Sequence, residues 1–355
     1  MDIKEFQLAT AKLTQKEVDA LIVEIEGIYK DAIADIQAEI DRNYLKYLSN
    51  EDPANYYSIM STHNRLEKLL QYAQGQYNYY AKLINDKITQ VSSLSLSNTW
   101  YRDQYVNAFM AGISFTVLDP RIIEVSVLGT KESWKNITAA LESKYLPASS
   151  MAPQYGSLSK DLLDPFKKDT LVKIQKTMTQ GFIQGYSNQK MASSIKDLME
   201  NALYQAERIA RTESTRTSNE ADQLSAMEAS NQGANIMRMW VSALDDRTRS
   251  NHAKLDGQLA PVDKPFKDGP MRPGAWQTVG DNINERCTTV NVVIGPDGTP
   301  DIPAFRRGYP PVTDPKTGKK TSQAGKSEVY SMKYFDQWAK ENNLKVNKYG
   351  EMYAG

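Results

Sequence analysis

Val18, Ile22, Ile25, Tyr29, Ala32 and Ile36 recur at alternating spacings of four and three, the pattern that places a series on one seam of an α-helix. This series constrains the chain more than any other feature. Its N-terminal part must be helical, and the seam must be covered by other helices, in a bundle rather than an intermolecular coiled coil. Thr14 and Glu17 have the spacing of a capping box, which sets the expected start of the helix. Asp52-Pro53 opens a second helix running into the eighties, since proline gives up no hydrogen bond in a first turn. A third is expected from about Asn98, carrying Trp100, Tyr101, Tyr105, Phe109 and Met110 until Gly112 ends it. Tyr44, Tyr47, Tyr56, Tyr57, Tyr72, Tyr77, Tyr79 and Tyr80 crowd the first two helices. A tyrosine buries a large ring yet keeps a polar tip, which suits either a docking surface or a tyrosine-rich bundle core.

Residues 113–165 are mixed, with a short strand expected at Val125–Leu128 and a Pro/Ser/Gly-rich linker at Leu146–Leu163. The helical pattern resumes from Asp164-Pro165 to Gln180, then over Met191–Met199 and Ala202–Gln232. Gly233 stands where a left-handed C-cap belongs. Met237–Leu244 and Thr288–Ile294 are β-branched, strand-like and bounded by turn residues. The expected class is therefore mainly α with a small α+β module: long N-terminal helices, then helices followed by a short antiparallel sheet, then a largely irregular basic tail. The expected segments are a helical Tyr-rich docking region at 1–115, a mixed segment and linker at 116–165, the α+β module at 166–295 and a Pro/Gly-rich tail at 296–355, with a short helix at Met332–Asn342.

Composition removes function classes. With one cysteine, Cys287, no intrachain disulfide and no four-thiolate zinc site can form, and His63 and His252 are the only histidines. The opening MDIKEFQLATAKLTQKE lacks a basic n-region followed by an apolar h-region, so no secretory signal is expected. The longest uncharged apolar stretch, Tyr105–Leu118, falls short of the roughly 20 residues that span a bilayer. A soluble intracellular protein is expected, without a membrane partner. No GxSxG elbow, Walker loop or GxGxxG turn is present. Glu207 with Arg211 and Glu213 with Arg216 have the spacing of ion pairs on a solvated helix face.

The densest polar constellation is Asp245-Asp246-Arg247-Thr248-Arg249, followed by His252 and Leu255-Asp256-Gly257. One reading makes Asp246 and His252 an acid-base or metal pair completed by Glu285 and Cys287. The other has Asp245 or Asp246 capping a helical turn, with buried Asp-Arg and His hydrogen bonds holding a loop-rich domain together. The second is favoured, because a hydrolytic metal site needs several ligands at short regular spacing; no metal, cofactor or catalytic residue is expected. Within the tail, from Phe305 to Lys326, Arg306, Arg307, Lys316, Lys319, Lys320 and Lys326 stand against the single acid Asp314, although the whole chain balances 43 basic against 43 acidic residues. Such a stretch can follow a phosphate backbone without sequence specificity, or simply solubilise.

Ala210-Arg211-Thr212-Glu213, Asn219-Glu220-Ala221, Trp240, Asp246-Arg247-Thr248-Arg249, His252, Asp256-Gly257, Pro273-Gly274 and Asn284-Glu285-Arg286-Cys287 occur in this order. Over roughly residues 170 to 295 the chain resembles the phage Mu F-like head morphogenesis family, the minor head proteins of tailed bacteriophages. The resemblance implies a minor capsid component that associates with the portal protein during procapsid assembly and lies inside the head near packaged double-stranded DNA. Scaffold and major capsid protein are further candidate partners, and the host cytoplasm is the place of assembly. It implies no established catalytic residues. Members often close the domain with a Cys-Arg-Cys run; here Glu285 takes the place of the first cysteine, so Arg286 and Cys287 carry over as structural positions. A nuclease or toxin-like enzyme built on the same module, with Asp245, Asp246, His252 and Glu285 as its site, is the alternative from another class.

Overall fold

The computed structural model describes residues 3–48, 56–123, 126–127, 172–174, 176–177, 180, 188–243, 247–302, 305–308, 312–313, 320–321, 327–330, 344–346 and 352–354. Three long helices dominate: α1 (Ile3–Leu48), α2 (Tyr56–Ala111) and, after the single turn α3 (Pro120–Ile123), α4 (Asn188–Asn231). The helix start expected at Thr14 is corrected: α1 already runs from Ile3, because the preceding residues are good helix formers with no breaker among them. The two helices expected around Asn98 are one. The serines that weaken the local pattern there, Ser92 and Ser95, are fully buried, and Ser95 Oγ lies 2.7 Å from Ser214 Oγ on α4, so tertiary packing overrides a poor helix propensity. Gly112, with φ +67°, ends α2 as expected, and Gly233, with φ +93°, ends α4. Ser126 and Val127 form part of a π-helical turn instead of the expected strand. Its neighbours, the 146–163 linker and the 332–342 helix lie outside the described residues.

The chain divides into two compact units. One comprises residues 19–91 and 158–211. Here the seam residues Ile22, Ile25, Tyr29, Ala32 and Ile36 are all buried, as are Tyr77, Tyr80, Ile84 and Ile88 of α2 and Ile195, Met199 and Ala206 of α4. Tyr80 donates its hydroxyl to Asp35 at 2.6 Å, which joins α2 to α1, and burial followed by that bond pushes its pKa upward. Tyr79 beside it is exposed. The tyrosines therefore serve both as core and as surface.

The other unit comprises residues 1–18, 92–157 and 212–355. Its sheet holds β1 (Ile236–Val241), β2 (Leu259–Pro261), β3 (Thr288–Ile294) and β4 (Pro300–Asp301), in the antiparallel order β2-β1-β3-β4. The β1–β3 register sets Ile236 opposite Val293, Arg238 opposite Asn291 and Trp240 opposite Thr289, so these six share one face. That face meets α4, where Ala226 and Ala229 pack against Ile236 and Val293. The opposite face carries Met239, Val241 and Val292, and Ile302 packs against it from beyond β4. A second cluster joins Leu96 and Trp100 of α2 to Leu118, Ile122 and to Ala221, Leu224 and Met227 of α4. Gln104 and Asn107 of α2 both donate to Ser225 Oγ of α4, at 3.0 and 3.2 Å. After Ile302 the described tail residues form only short antiparallel pairs, 305–308 with 327–330, 312–313 with 320–321 and 344–346 with 352–354.

Candidate functional site

Of the two ion pairs read as a solvated face, one is instead buried. Arg211 is exposed and pairs with Glu207 at 3.3 Å, in keeping with the sequence, but Glu213, Arg216 and Glu220 are at most 2% exposed. Arg216 donates to Glu213 at 3.1 Å, to Glu220 at 2.7 Å and to the main-chain oxygen of Ser126 at 2.5 Å. Arg272 reaches Glu220 at 3.3 Å and is itself fully buried. Burial disfavours the Arg216 charge, but Glu213 and Glu220 more than offset that and hold its pKa above the ordinary value. Spacing alone cannot tell this buried cluster from a wet face. Gly274 explains how the loop comes so near: it has φ +81°, and a Cβ there would sit 3.2 Å from Arg216 Cα.

A second centre gathers the scarce residues. His252 lies in the single helical turn Ser250–Ala253, with Arg249 at its N-cap position and no side-chain cap. The arginines thus precede the turn rather than riding on it, while Asp245 and Asp246, the expected caps, lie outside the described residues. Arg249 donates to the main-chain oxygens of Asp281 and Ile283, at 3.3 and 2.9 Å. His252 Nδ1 donates to Glu285 at 3.0 Å, and Trp276 Nε1 donates to the other oxygen of the same carboxylate at 3.0 Å. The amide N–H groups of Arg286 and Cys287 donate to it at 3.1 and 3.0 Å. The imidazole stacks on Trp276, centroids 4.5 Å apart, and meets Trp240 edge-on.

His252, Glu285 and Cys287 offer ligand atoms within 4.8 Å of one another, the one such group of three among the described residues. Their donor set fits a metal poorly. The Glu285 carboxylate already accepts four hydrogen bonds, which leaves it little capacity for a metal, and burial followed by the Glu285 charge pushes the Cys287 thiol well up. All three are at most 3% exposed, which also closes them to a substrate.

The remaining motif positions tie the module together. Thr212 Oγ1 accepts the Asn284 N–H at 3.0 Å, Asp256 accepts the Ser242 N–H at 2.8 Å, and Gly257 donates its N–H to Trp240 O at 2.8 Å. Arg247, Thr248 and Arg286 lie at or near the surface. Of the tail cations, Arg306, Arg307 and Lys320 fall on short strands, while Lys316, Lys319 and Lys326 lie outside the described residues. Sequence reading took Arg216 as a surface ion-pair partner and Glu220 only as part of the family run, and gave Arg272 and Trp276 no role. Their only signal was the company of Glu213 and Glu285, and it gives no hint of burial.

These features define a helix-plus-sheet module locked by a buried histidine-carboxylate hub and a buried arginine cluster. Over residues 172–290 the chain matches the family described as Phage Mu protein F like protein. It is 25% identical over 304 residues to the minor head protein GP7 of Bacillus phage SPP1, covering 82% of this chain and 88% of that protein. It is 31% identical over 147 residues to the NAD(+)--arginine ADP-ribosyltransferase EFV of Enterococcus faecalis, covering 41% of this chain and 30% of that one. An uncharacterized protein of Haemophilus influenzae is 29% identical over 133 residues, 27% of its length. No solved structure matches the chain.

Proposed function

We propose that the chain is a minor head protein of a tailed bacteriophage, a binding component that associates with the portal during procapsid assembly and lies inside the head near the packaged DNA. The observation that carries this reading is the similarity to a minor head protein over most of both chains. The surface supports a binding role. Tyr101, Tyr105 and Phe109 recur every four residues on α2 and are all exposed, Phe109 to 66%, and Phe115 stacks on Tyr101 with ring planes 10° apart. Exposed aromatic rings aligned on one helix face are typical anchors of a protein interface. No helix among the described residues is long and apolar enough to cross a membrane.

Mass spectrometry of purified procapsids and virions tests the reading. The chain is expected in both and should co-purify with portal; its absence from both overturns the proposal. Tyr105→Asp with Phe109→Asp should cut incorporation about tenfold or more at unchanged melting temperature. Incorporation equal to the parent would remove the α2 face from the interface.

The tail is assigned to DNA. Because Pro300-Asp301 and Ile302 belong to the sheet and its packing, charge neutralisation is a cleaner test than truncation after 296. Changing Arg306, Arg307, Lys316, Lys319, Lys320 and Lys326 to Gln should flatten the salt dependence of duplex retention by up to about five in log-log slope. An unaltered slope rejects the tail's role.

The segment shared with a named ADP-ribosyltransferase favours a second reading, an enzyme built on the module. It requires activity that His252→Ala abolishes without loss of folding.

A further inference from the structure

In the sheet-containing unit Asn219, Asn282 and Asn291 are at most 6% exposed. Asn219 donates to Cys287 O at 3.1 Å and accepts the Thr289 N–H at 3.2 Å. Asn282 accepts the Trp276 N–H and donates to Trp276 O, both at 2.8 Å. Asn291, two residues beyond Thr289 on β3, differs: neither its Nδ2 nor its Oδ1 has a hydrogen-bond partner among the described residues. A buried amide left in this way costs stability unless something outside the fold uses it. Asp103 on α2 shares the condition. It is 6% exposed, its Oδ1 accepts from Arg102 at 2.7 Å, and its Oδ2 has no hydrogen-bond partner among the described residues.

Asn291 and Asp103 line one cavity of about 320 Å³, together with Asp222 of α4, and all of its lining belongs to this one unit. The volume lies in the range of ligand sites. Burial, followed by the charge of Asp103, pushes the Asp222 carboxyl well above the usual range, and Thr289 Oγ1 donates to it. Two neighbouring carboxyl groups hold a proton where a cation is lacking. Arg102 offsets one of the two charges once both ionise. The remaining charged residue of the lining is Arg286, next to Cys287 in the chain; the largest influences on Asp222 are burial, Asp103, Thr289 and Arg102. Val18, Val106 and Val290 supply apolar wall, and no aromatic ring lines the cavity.

We propose that this cavity binds a primary alkylammonium group, of a lysine side chain or a free aliphatic amine, through Asp103, Asp222 and the Asn291 side-chain oxygen, with the methylene chain against the valines. An ammonium carries one charge and three N–H donors, which these three acceptors match. A divalent cation would bring a second charge beside Arg102 and needs six or more oxygens, and a planar guanidinium carries five donors. A quaternary ammonium is held by aromatic faces, and this lining has none. Such binding is separate from head incorporation and does not rest on that reading.

The test uses the full chain, ¹⁵N-labelled, with the Asn291 side-chain signal assigned by its loss in Asn291→Leu. The probes are N-acetyl-lysine methylamide and butylamine. A saturable shift of that signal is expected, with a dissociation constant on the order of millimolar for such small ligands. The tighter binder of the two names the source, a partner's lysine or a free amine. The trimethylated lysine probe keeps the charge but loses every N–H donor, and should bind at least about tenfold more weakly. The norleucine probe, with the same chain and no ammonium, should give no saturable shift. Asp222→Asn should weaken the lysine probe at least about threefold at an unchanged melting temperature. No saturable shift with either amine, or an equal response to the trimethylated or the norleucine probe, would overturn the proposal without recourse to any variant. An Asp222→Asn chain that binds as tightly as the parent would do the same. Head incorporation that persists while both amines fail to bind would reject this cavity alone and leave the head-protein reading intact.

Discussion

Arg216→Met should destabilise its unit by about 3–5 kcal/mol, measured as a shift in the urea transition followed by tryptophan fluorescence. Trp100 and Trp240, both fully buried in this unit, report on it directly. The size follows from what remains after the substitution. Glu213 and Glu220 stay at most 1% exposed with no Arg216 between them, and only Arg272, on Glu220, still offsets their charge. Breaking a buried pair strands a charge, whereas replacing the whole set with apolar side chains is often neutral. Changing Glu213, Arg216 and Glu220 together to Leu or Met should therefore recover much of the loss. A single Arg216→Met variant within about 0.5 kcal/mol of the parent would show that the cluster is hydrated and that its burial has been misjudged.

Glu285→Ala should cost a comparable 3–5 kcal/mol or so, because four donors lose one acceptor in a dry site. His252 Nδ1, Trp276 Nε1 and the N–H groups of Arg286 and Cys287 all converge on that carboxylate. Glu285→Gln keeps one carbonyl oxygen and should lose only about 1–2 kcal/mol. The measurement is equilibrium unfolding of both variants beside a cleavage assay with and without divalent metal. Graded loss of stability, with no activity in the parent, matches a structural hub. Metal-dependent cleavage by the parent, lost in His252→Ala at unchanged stability, would instead transfer these residues to an enzyme.

The two centres were legible to different degrees. The resemblance to the Mu F-like family set Glu285, His252, Cys287 and Trp240 in one module, whereas the residues alone offered Glu285 and Cys287 beside His252 only as the less favoured of two readings. Trp276, which stacks on His252 and shares its carboxylate, carried no such mark, because an aromatic in a loop looks the same whether it caps a core or faces water. Glu213 and Arg216 were read as exposed for a related reason. A spacing of three is satisfied equally on a wet face and inside a protein, and only the approach of the Gly274 loop and of Ser126 decides which.

Local chemistry alone determined that the N-terminal part is helical, the C-cap at Gly233, the α-then-β order and two strands, read at 237–244 and 288–294 and found at 236–241 and 288–294. These rest on periodicity and on the φ freedom of glycine, which depend on neighbours within a turn or two. The tertiary structure decided what those elements do with their polar side chains. It merged the helices around Asn98 because buried Ser92 and Ser95 pack where a local rule would loosen the chain, and it dried the Arg216 cluster. It also paired Asn219 and Asn282 with main chain while turning Asn291 into a cavity. Desolvation depends on everything that surrounds a group, and a linear pattern contains no measure of it.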